Sequence, residues 1–130
     1  MTKQAVVPER IENLPLPFSP AILSGGFVFI SGQASVDERG AIVSATFAEE
    51  FRRSIENLRM ILAAAGCRLE DVVQVRCYVH DERDLAEFNE LYREFFSDPL
   101  PARTTLTNCL GPVKFEVDAV AHVPPVPGER

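Results

Sequence analysis

The sequence predicts an α+β fold: one mixed β-sheet with two helices packed on one of its faces. Three observations lead there. Two stretches repeat apolar residues every three or four positions, the period of an amphipathic helix. Short apolar or alternating stretches flank them, the pattern of strands. The resulting order of strands, helix, strand, helix, strands lets each helix act as a crossover between strands. At 130 residues the chain has the size of one domain, so residues 1–130 are read as a single unit. Pro124-Pro125-Val126-Pro127 ends the folded part and leaves a short tail, about 124–130, expected to be mobile.

The elements follow in order. A short strand near Ala21 to Leu23 precedes Phe27-Val28-Phe29-Ile30, a continuous apolar run between Gly25-Gly26 and Ser31-Gly32 that reads as a strand buried on both faces. Asp37-Glu38-Arg39-Gly40 is a turn, with Ala41-Ile42-Val43 beyond it. Thr46 to Ala65 is a helix. Thr46 and Glu49 have capping-box spacing, Phe47, Phe51, Ile55, Leu58 and Leu62 form its apolar stripe, and Gly66 ends it. Val73, Val75, Cys77 and Val79 alternate with Gln74, Arg76, Tyr78 and His80, as in a strand. A second helix runs from Leu85 to Phe96, with Asp84 as N-cap and a stripe of Leu85, Phe88, Leu91, Tyr92, Phe95 and Phe96. Two last strands, near Thr104 to Leu110 and Phe115 to Val123, are expected to form a hairpin through a turn at Gly111-Pro112.

Two helices cover one side of a sheet only. Arg76, Tyr78, Glu116, Asp118, Val120 and His122 share the other side if Val75 and Val117 point toward the helices. A half-apolar sheet face left open calls for a second copy of the chain, so a homo-oligomer is expected.

Composition excludes several classes. The formal net charge is −6, with 13 Lys and Arg scattered along the chain, whereas nucleic-acid binders concentrate positive charge on one face. No nucleic-acid partner is expected. No apolar run approaches the roughly 20 residues that cross a bilayer. Met1-Thr2-Lys3-Gln4 leads into Ala5-Val6-Val7-Pro8, too short and too soon interrupted for a signal peptide. A cytoplasmic protein without a membrane partner is expected. Cys67, Cys77 and Cys109 are far apart, and His80 and His122 are the only histidines, so the thiols read as reduced and no metal cofactor is expected.

Among residues able to carry chemistry, Arg103 comes first. It sits where the Leu100-Pro101-Ala102 loop enters a strand, and its guanidinium matches a carboxylate with two parallel N–H donors. A surface arginine paired with a nearby acid is the commoner role for such a residue. Glu116 alternates with Phe115 and Val117 and so points at the uncovered face, where it is either an acid–base group or an intersubunit ion pair. Asn89 falls on the apolar side of the second helix, where an amide is usually structural. Ser31 and Gly32 end the apolar strand, and Gly32 allows close approach of a ligand to the backbone. Thr105 adds little by itself. No nucleophile elbow, phosphate loop or dinucleotide fingerprint is present.

Taken together, several segments resemble the RidA/YjgF family. Phe18-Ser19-Pro20-Ala21 followed by Val28-Phe29-Ile30-Ser31-Gly32-Gln33 is similar to its opening motif. Asn57-Leu58 through Ala64-Ala65-Gly66 resembles its first helix, and Phe88-Asn89 with Tyr92, Phe95 and Phe96 its second. Pro101-Ala102-Arg103-Thr104 and then Phe115-Glu116-Val117-Asp118-Ala119-Val120-Ala121 look like its C-terminal signature. The likeness runs over roughly residues 15 to 123. It implies a chorismate-mutase-like homotrimer with clefts between subunits, and hydrolysis of reactive 2-imino acids and their enamine tautomers to 2-oxo acids and ammonia. It further implies that Arg103 holds the substrate carboxylate and Glu116 orients or activates water, with Phe18, Ser31, Gly32, Asn89 and the backbone around Thr105 lining the pocket. Phe18 stands where many members carry tyrosine, Thr105 where some carry cysteine, and the last turn is shorter than usual; the first two bear on substrate preference. A trimer that binds small carboxylates without turning them over, or a ribonuclease-like translation inhibitor, are the alternatives, and the acidic balance disfavours the second.

Overall fold

A computed structural model describes residues 2–11 and 14–125, so most of the tail predicted at about 124–130 lies outside the described residues. Eight principal elements follow in chain order: strands β1 (Gln4–Val6), β2 (Ala21–Ser24) and β3 (Phe27–Ala34), helix α1 (Phe47–Ala64), strand β4 (Val72–Val79), helix α2 (Leu85–Phe95), and strands β5 (Ala102–Thr107) and β6 (Phe115–His122).

Helix α1 starts and stops as its sequence dictates. The Thr46 hydroxyl accepts from the Glu49 amide at 3.2 Å, and the Glu49 carboxylate accepts from the Thr46 amide at 3.2 Å. At the far end Gly66 takes φ 77°, which a side chain resists, letting Gly66 N–H reach the Ala63 carbonyl and Cys67 N–H the Leu62 carbonyl. Phe47, Phe51, Ile55, Leu58 and Leu62 are all buried, as the stripe predicts. Phe51 forms the hub of an aromatic cluster, its ring centroid 4.8 Å from Phe115, 5.7 Å from Phe95 and 6.0 Å from Phe88. Helix α2 adds Phe88, Leu91 and Tyr92 to the same core. Asp84 does not cap it with its side chain. Asp81 instead accepts from the Arg83 amide at 2.9 Å, capping a single 3-10 turn, Glu82–Asp84, that leads into the helix.

The six-stranded sheet has the order β1-β2-β3-β6-β4-β5. Strands β4 and β5 are adjacent and parallel, with α2 as their crossover. Strand β6 is antiparallel to both β3 and β4 and lies between them. The expected β5–β6 hairpin therefore does not form. After β5 the Asn108 amide donates to the Val79 and His80 carbonyls, carrying the chain over the end of β4, and the His80 amide donates to the Lys114 carbonyl where β6 begins. The central place suits β6, whose residues alternate buried and half-buried; the edge suits the more exposed β5.

Two further expectations are corrected by strand geometry. Phe27-Val28-Phe29-Ile30 is not buried on both faces: Val28 and Ile30 enter the core, while Phe29 is 47% exposed on the helix-free side. Val73 does not point inward with Val75, Cys77 and Val79. The register against β6 slips between Val72 and Gln74, so Val73 is the extra residue of a bulge, and Val72 is buried in its stead. Strand β1, which pairs with β2 at the sheet edge, carries too little pattern in three residues to be read beforehand. None of the described helices is long and apolar enough to cross a membrane.

Candidate functional site

Strand register decides where each candidate side chain goes. Arg103 on β5 lies beside Val75 of β4, a residue facing the helices, so its side chain runs under α2. There the guanidinium stacks 4.8 Å from the Phe88 ring centroid and 4.7 Å from that of Tyr92. Its Nη2 donates to Asn89 Oδ1 at 2.8 Å. Phe88, Asn89 and Tyr92 belong to consecutive turns of α2, so one helix supplies both the aromatic bed and the amide acceptor. Asn89 is half-buried rather than fully enclosed. Among the described residues no carboxylate pairs with Arg103, and a cavity of about 200 Å³ lined by Asn89, Tyr92, Arg93, Leu100 and Pro101 opens beside it. A guanidinium fixed by stacking and one hydrogen bond keeps its remaining donors free for an anion. Thr105 lies two residues further along the same side of β5, beside Cys77. Burial pushes the Cys77 thiol up to about 12, so it stays protonated and is no nucleophile.

Glu116 projects from the other side of the sheet. Its register partner is Tyr78 on β4, and its carboxylate lies against Gly32 at the irregular end of β3. A methyl group at position 32 would run into the Glu116 carboxylate oxygen, which is the close approach that glycine permits here. Burial pushes the Glu116 carboxyl above its ordinary value, and the nearby Asp118 charge pushes it further. Ser31 stitches the N-terminal segment to this place, its hydroxyl donating to the Ser19 carbonyl at 2.7 Å and its amide to the Pro20 carbonyl at 2.9 Å. That holds Phe18, 55% exposed, at the rim of an open cleft that Ser31, Phe29, Arg76 and Asp118 also line.

The predicted residues thus form two groups. Arg103, Asn89 and Thr105 sit on the helix side at the β5 edge; Phe18, Ser31, Gly32 and Glu116 sit on the helix-free side around the end of β3. Within one chain the sheet itself separates Arg103 from Glu116. Phe88 and Tyr92, read from the sequence as core stripe only, also form the seat of Arg103. Arg76, Tyr78 and Asp118, read only as sharing a face, are joined: Arg76 Nε donates to Asp118 Oδ1 at 2.9 Å, and the Tyr78 hydroxyl to Asp118 Oδ2 at 2.8 Å. No cluster of three or more potential metal ligands occurs among the described residues.

Residues 11–123 match the family model described as Endoribonuclease L-PSP. A RutC family protein of Pyrococcus abyssi is 38% identical over 125 residues, covering 94% of this chain and 98% of the relative. A 2-iminobutanoate/2-iminopropanoate deaminase of Homo sapiens is 35% identical over 108 residues, covering 81% of this chain and 79% of the relative. Among solved structures, the YjgF gene product from E. coli superposes with a TM-score of 0.80 at 29% identity, covering 92% of this chain and 98% of that one. With the motifs around Gly32, Arg103 and Glu116 in place on the matching fold, the chain belongs to the RidA/YjgF family, the family that the L-PSP model describes.

Proposed function

We propose that this protein is a cytoplasmic, homotrimeric hydrolase of small 2-imino acids and their enamine tautomers, such as 2-aminoacrylate or 2-iminobutanoate. The observation that carries the reading is Arg103: a guanidinium bedded on Phe88 and Tyr92, anchored to Asn89, and matched by no carboxylate among the described residues. An imino acid brings that carboxylate. Human and mite relatives named as 2-iminobutanoate/2-iminopropanoate deaminases support the substrate class.

The same geometry supports an assembly of copies, and the trimer is the form that the family resemblance implies. Arg103 and Glu116 face opposite sides of one sheet, so a site using both needs the Arg103 edge of one copy against the Glu116 face of another. The helix-free face offers Phe27, Phe29, Val73 and Leu106 to such a contact, all exposed in the single chain. In this arrangement Arg103, with Asn89 beside it, grips the substrate carboxylate. The neighbouring copy presents Glu116 over Gly32, with Ser31 and Phe18 at the rim, and Thr105 borders the arginine side.

The chemistry asks little of the protein. An enamine first takes a proton on carbon and releases one from nitrogen, becoming the imine. Water then adds its oxygen to the electrophilic imine carbon and gives a proton to Glu116, which passes it to the imine nitrogen, so that a carbinolamine forms. The carbinolamine collapses, the C–N bond breaks, and ammonia leaves behind a 2-oxo acid. Positioning and proton transfer suffice, so no metal or organic cofactor takes part. The decisive experiment generates the imine in situ with an amino-acid oxidase and follows its loss with and without the protein. Acceleration that vanishes in Arg103→Ala supports the proposal. Carboxylate binding without acceleration would make the protein a sensor of small acids and overturn it.

A further inference from the structure

The uncovered face holds an ordered charge network that the proposed reaction does not yet use. Glu116 and Asp118 stand two residues apart on β6, on the same side of the sheet, with Tyr78 and Arg76 opposite them on β4. Tyr78 is the register partner of Glu116, yet its hydroxyl reaches diagonally to Asp118 Oδ2. Arg76 holds the other oxygen of Asp118 through Nε. Asp118 is thereby fixed at both oxygens, while no hydrogen bond restrains Glu116 among the described residues.

Building on the reading of Glu116 as the acid–base group, we propose that Asp118, clamped by Tyr78 and Arg76, is a positioning residue that sets when Glu116 gives up its proton. Two carboxylates about 7 Å apart along a strand repel each other when both are ionised, and a buried setting strengthens the repulsion. Arg76 and the Tyr78 hydroxyl both donate to Asp118, whereas Glu116 is partly buried and has no hydrogen-bond partner among the described residues, so of the two it is Glu116 whose proton affinity the repulsion raises. The upward displacement of Glu116, caused by burial first and Asp118 second, agrees with that division. Burial and the Asp118 hydrogen bond also hold the Tyr78 phenol above its ordinary value, so it remains a donor.

The other neighbours leave Asp118 as the dominant charge. On β3, Ser31, Gly32 and Gln33 carry none, and Phe18 carries none at the rim. Lys114, just before β6, turns its ammonium to Glu50 and the Ala45 carbonyl. His80 follows β4 and donates its backbone amide to Lys114. A general base acts best when its proton affinity approaches the working pH, so a fixed neighbouring anion makes Glu116 a stronger base than a solvated glutamate.

The test reads Glu116 directly. In protein labelled with carboxyl-¹³C glutamate, the Glu116 signal is the one that Glu116→Gln removes. Asp118→Asn is expected to move its titration to lower pH; Arg76→Met, which leaves Asp118 less compensated, is expected to move it to higher pH. The acid limb of kcat/KM follows in the same directions, with KM held to within about twofold because Arg103 is untouched. A Glu116 titration unmoved by Asp118→Asn, or moved the same way by both variants, overturns the proposal. Should Asp118→Asn fail to fold, Arg76→Met carries the test, since that side chain is largely solvent-exposed. The titration needs no substrate, so absence of imine turnover would remove the functional reading while leaving this one to be judged by itself.

Discussion

Replacing Arg103 separates its chemistry from its packing. In Arg103→Ala a bound carboxylate loses two charge-assisted hydrogen bonds, each contributing about 1.5–3 kcal/mol. At 1.4 kcal/mol per decade, kcat/KM falls by roughly 10²- to 10⁴-fold. The fold loses much less. The guanidinium is exposed, and its contacts are two aromatic faces at 4.8 and 4.7 Å and one hydrogen bond to Asn89. Exposed cation–π contacts contribute about 0.5–1 kcal/mol each, and Phe88 and Tyr92 remain packed by their neighbours, so the variant stays folded. Arg103→Lys keeps the charge but loses the fork and the flat stacking surface, and falls between, by about 10- to 100-fold.

The assay couples an amino-acid oxidase to formation of the imine and traps surviving imine with semicarbazide, so that faster hydrolysis appears as less adduct. Circular dichroism and thermal melts run beside it. If Arg103→Ala kept more than about a third of wild-type turnover with an unchanged melt, the guanidinium would not be holding the substrate, and the carboxylate-clamp reasoning would fail with it.

Other outcomes follow from the same geometry. Gly32→Ala drives a methyl group into the Glu116 carboxylate, and because that end is flexible the side chain swings away. Turnover falls by at least about tenfold while the melting temperature shifts only slightly; unchanged turnover would place Glu116 outside the reaction. Glu116→Gln removes a carboxyl whose proton affinity is raised in the fold, by burial and then by Asp118. Such a group costs stability once pH rises above the ordinary glutamate value. Glu116→Gln therefore melts higher than wild type at neutral pH, with the gain fading on acidification below that value, while turnover is lost. Glu50 runs the other way. It is fully buried, accepts from the Lys114 amide at 2.9 Å and the Ala45 amide at 3.1 Å, and meets the Lys114 ammonium at 3.2 Å. Burial alone would raise its carboxyl, but these donors outweigh it and hold it below the ordinary value, so its contribution is present above that value and lost as pH falls through the depressed one. Glu50→Ala costs about 3 kcal/mol, the low end for a broken buried pair because the Lys114 side chain is partly solvated, measured by urea unfolding at pH 7.

Local chemistry was legible in the sequence; non-local pairing was not. The α1 cap and stop each depend on residues within one turn of each other, and both appear in the structure where the sequence places them. The place of β6 depends on which strand edges remain free after α1 and α2 have crossed over, and no local pattern records that. Two strands joined by a short connection look like a hairpin until the backbone at Asn108 turns across the end of β4. The Val73 bulge is hidden for a related reason: valine fits either side of a half-apolar strand. Glu50 could have been found. It lies three residues after Phe47 and one before Phe51, on the buried side of α1 by spacing, and a charged residue there requires partners. Arg103 and Glu116 were legible as residue types at motif positions, but not as residues on opposite sides of the sheet.

That last point changes what the sequence pattern means. Alternation along β6 puts Glu116 on the uncovered side, and the parallel β4–β5 register puts Arg103 on the helix side. Both follow from helix and strand placements that also bury Phe51 and Phe115 together, so neither can be reversed without dismantling the core. A chain that needs both groups at one substrate can therefore act only through a neighbour. On the proposed reading, its open apolar face and its guanidinium, which meets no carboxylate among the described residues, are two ends of one contact. Dilution supplies the corresponding measurement: specific activity should fall together with the sedimentation coefficient as the assembly dissociates, and Phe29→Glu should lower both at concentrations where wild type retains them. A fully active monomer would contradict the division of the site, whatever reaction the protein performs.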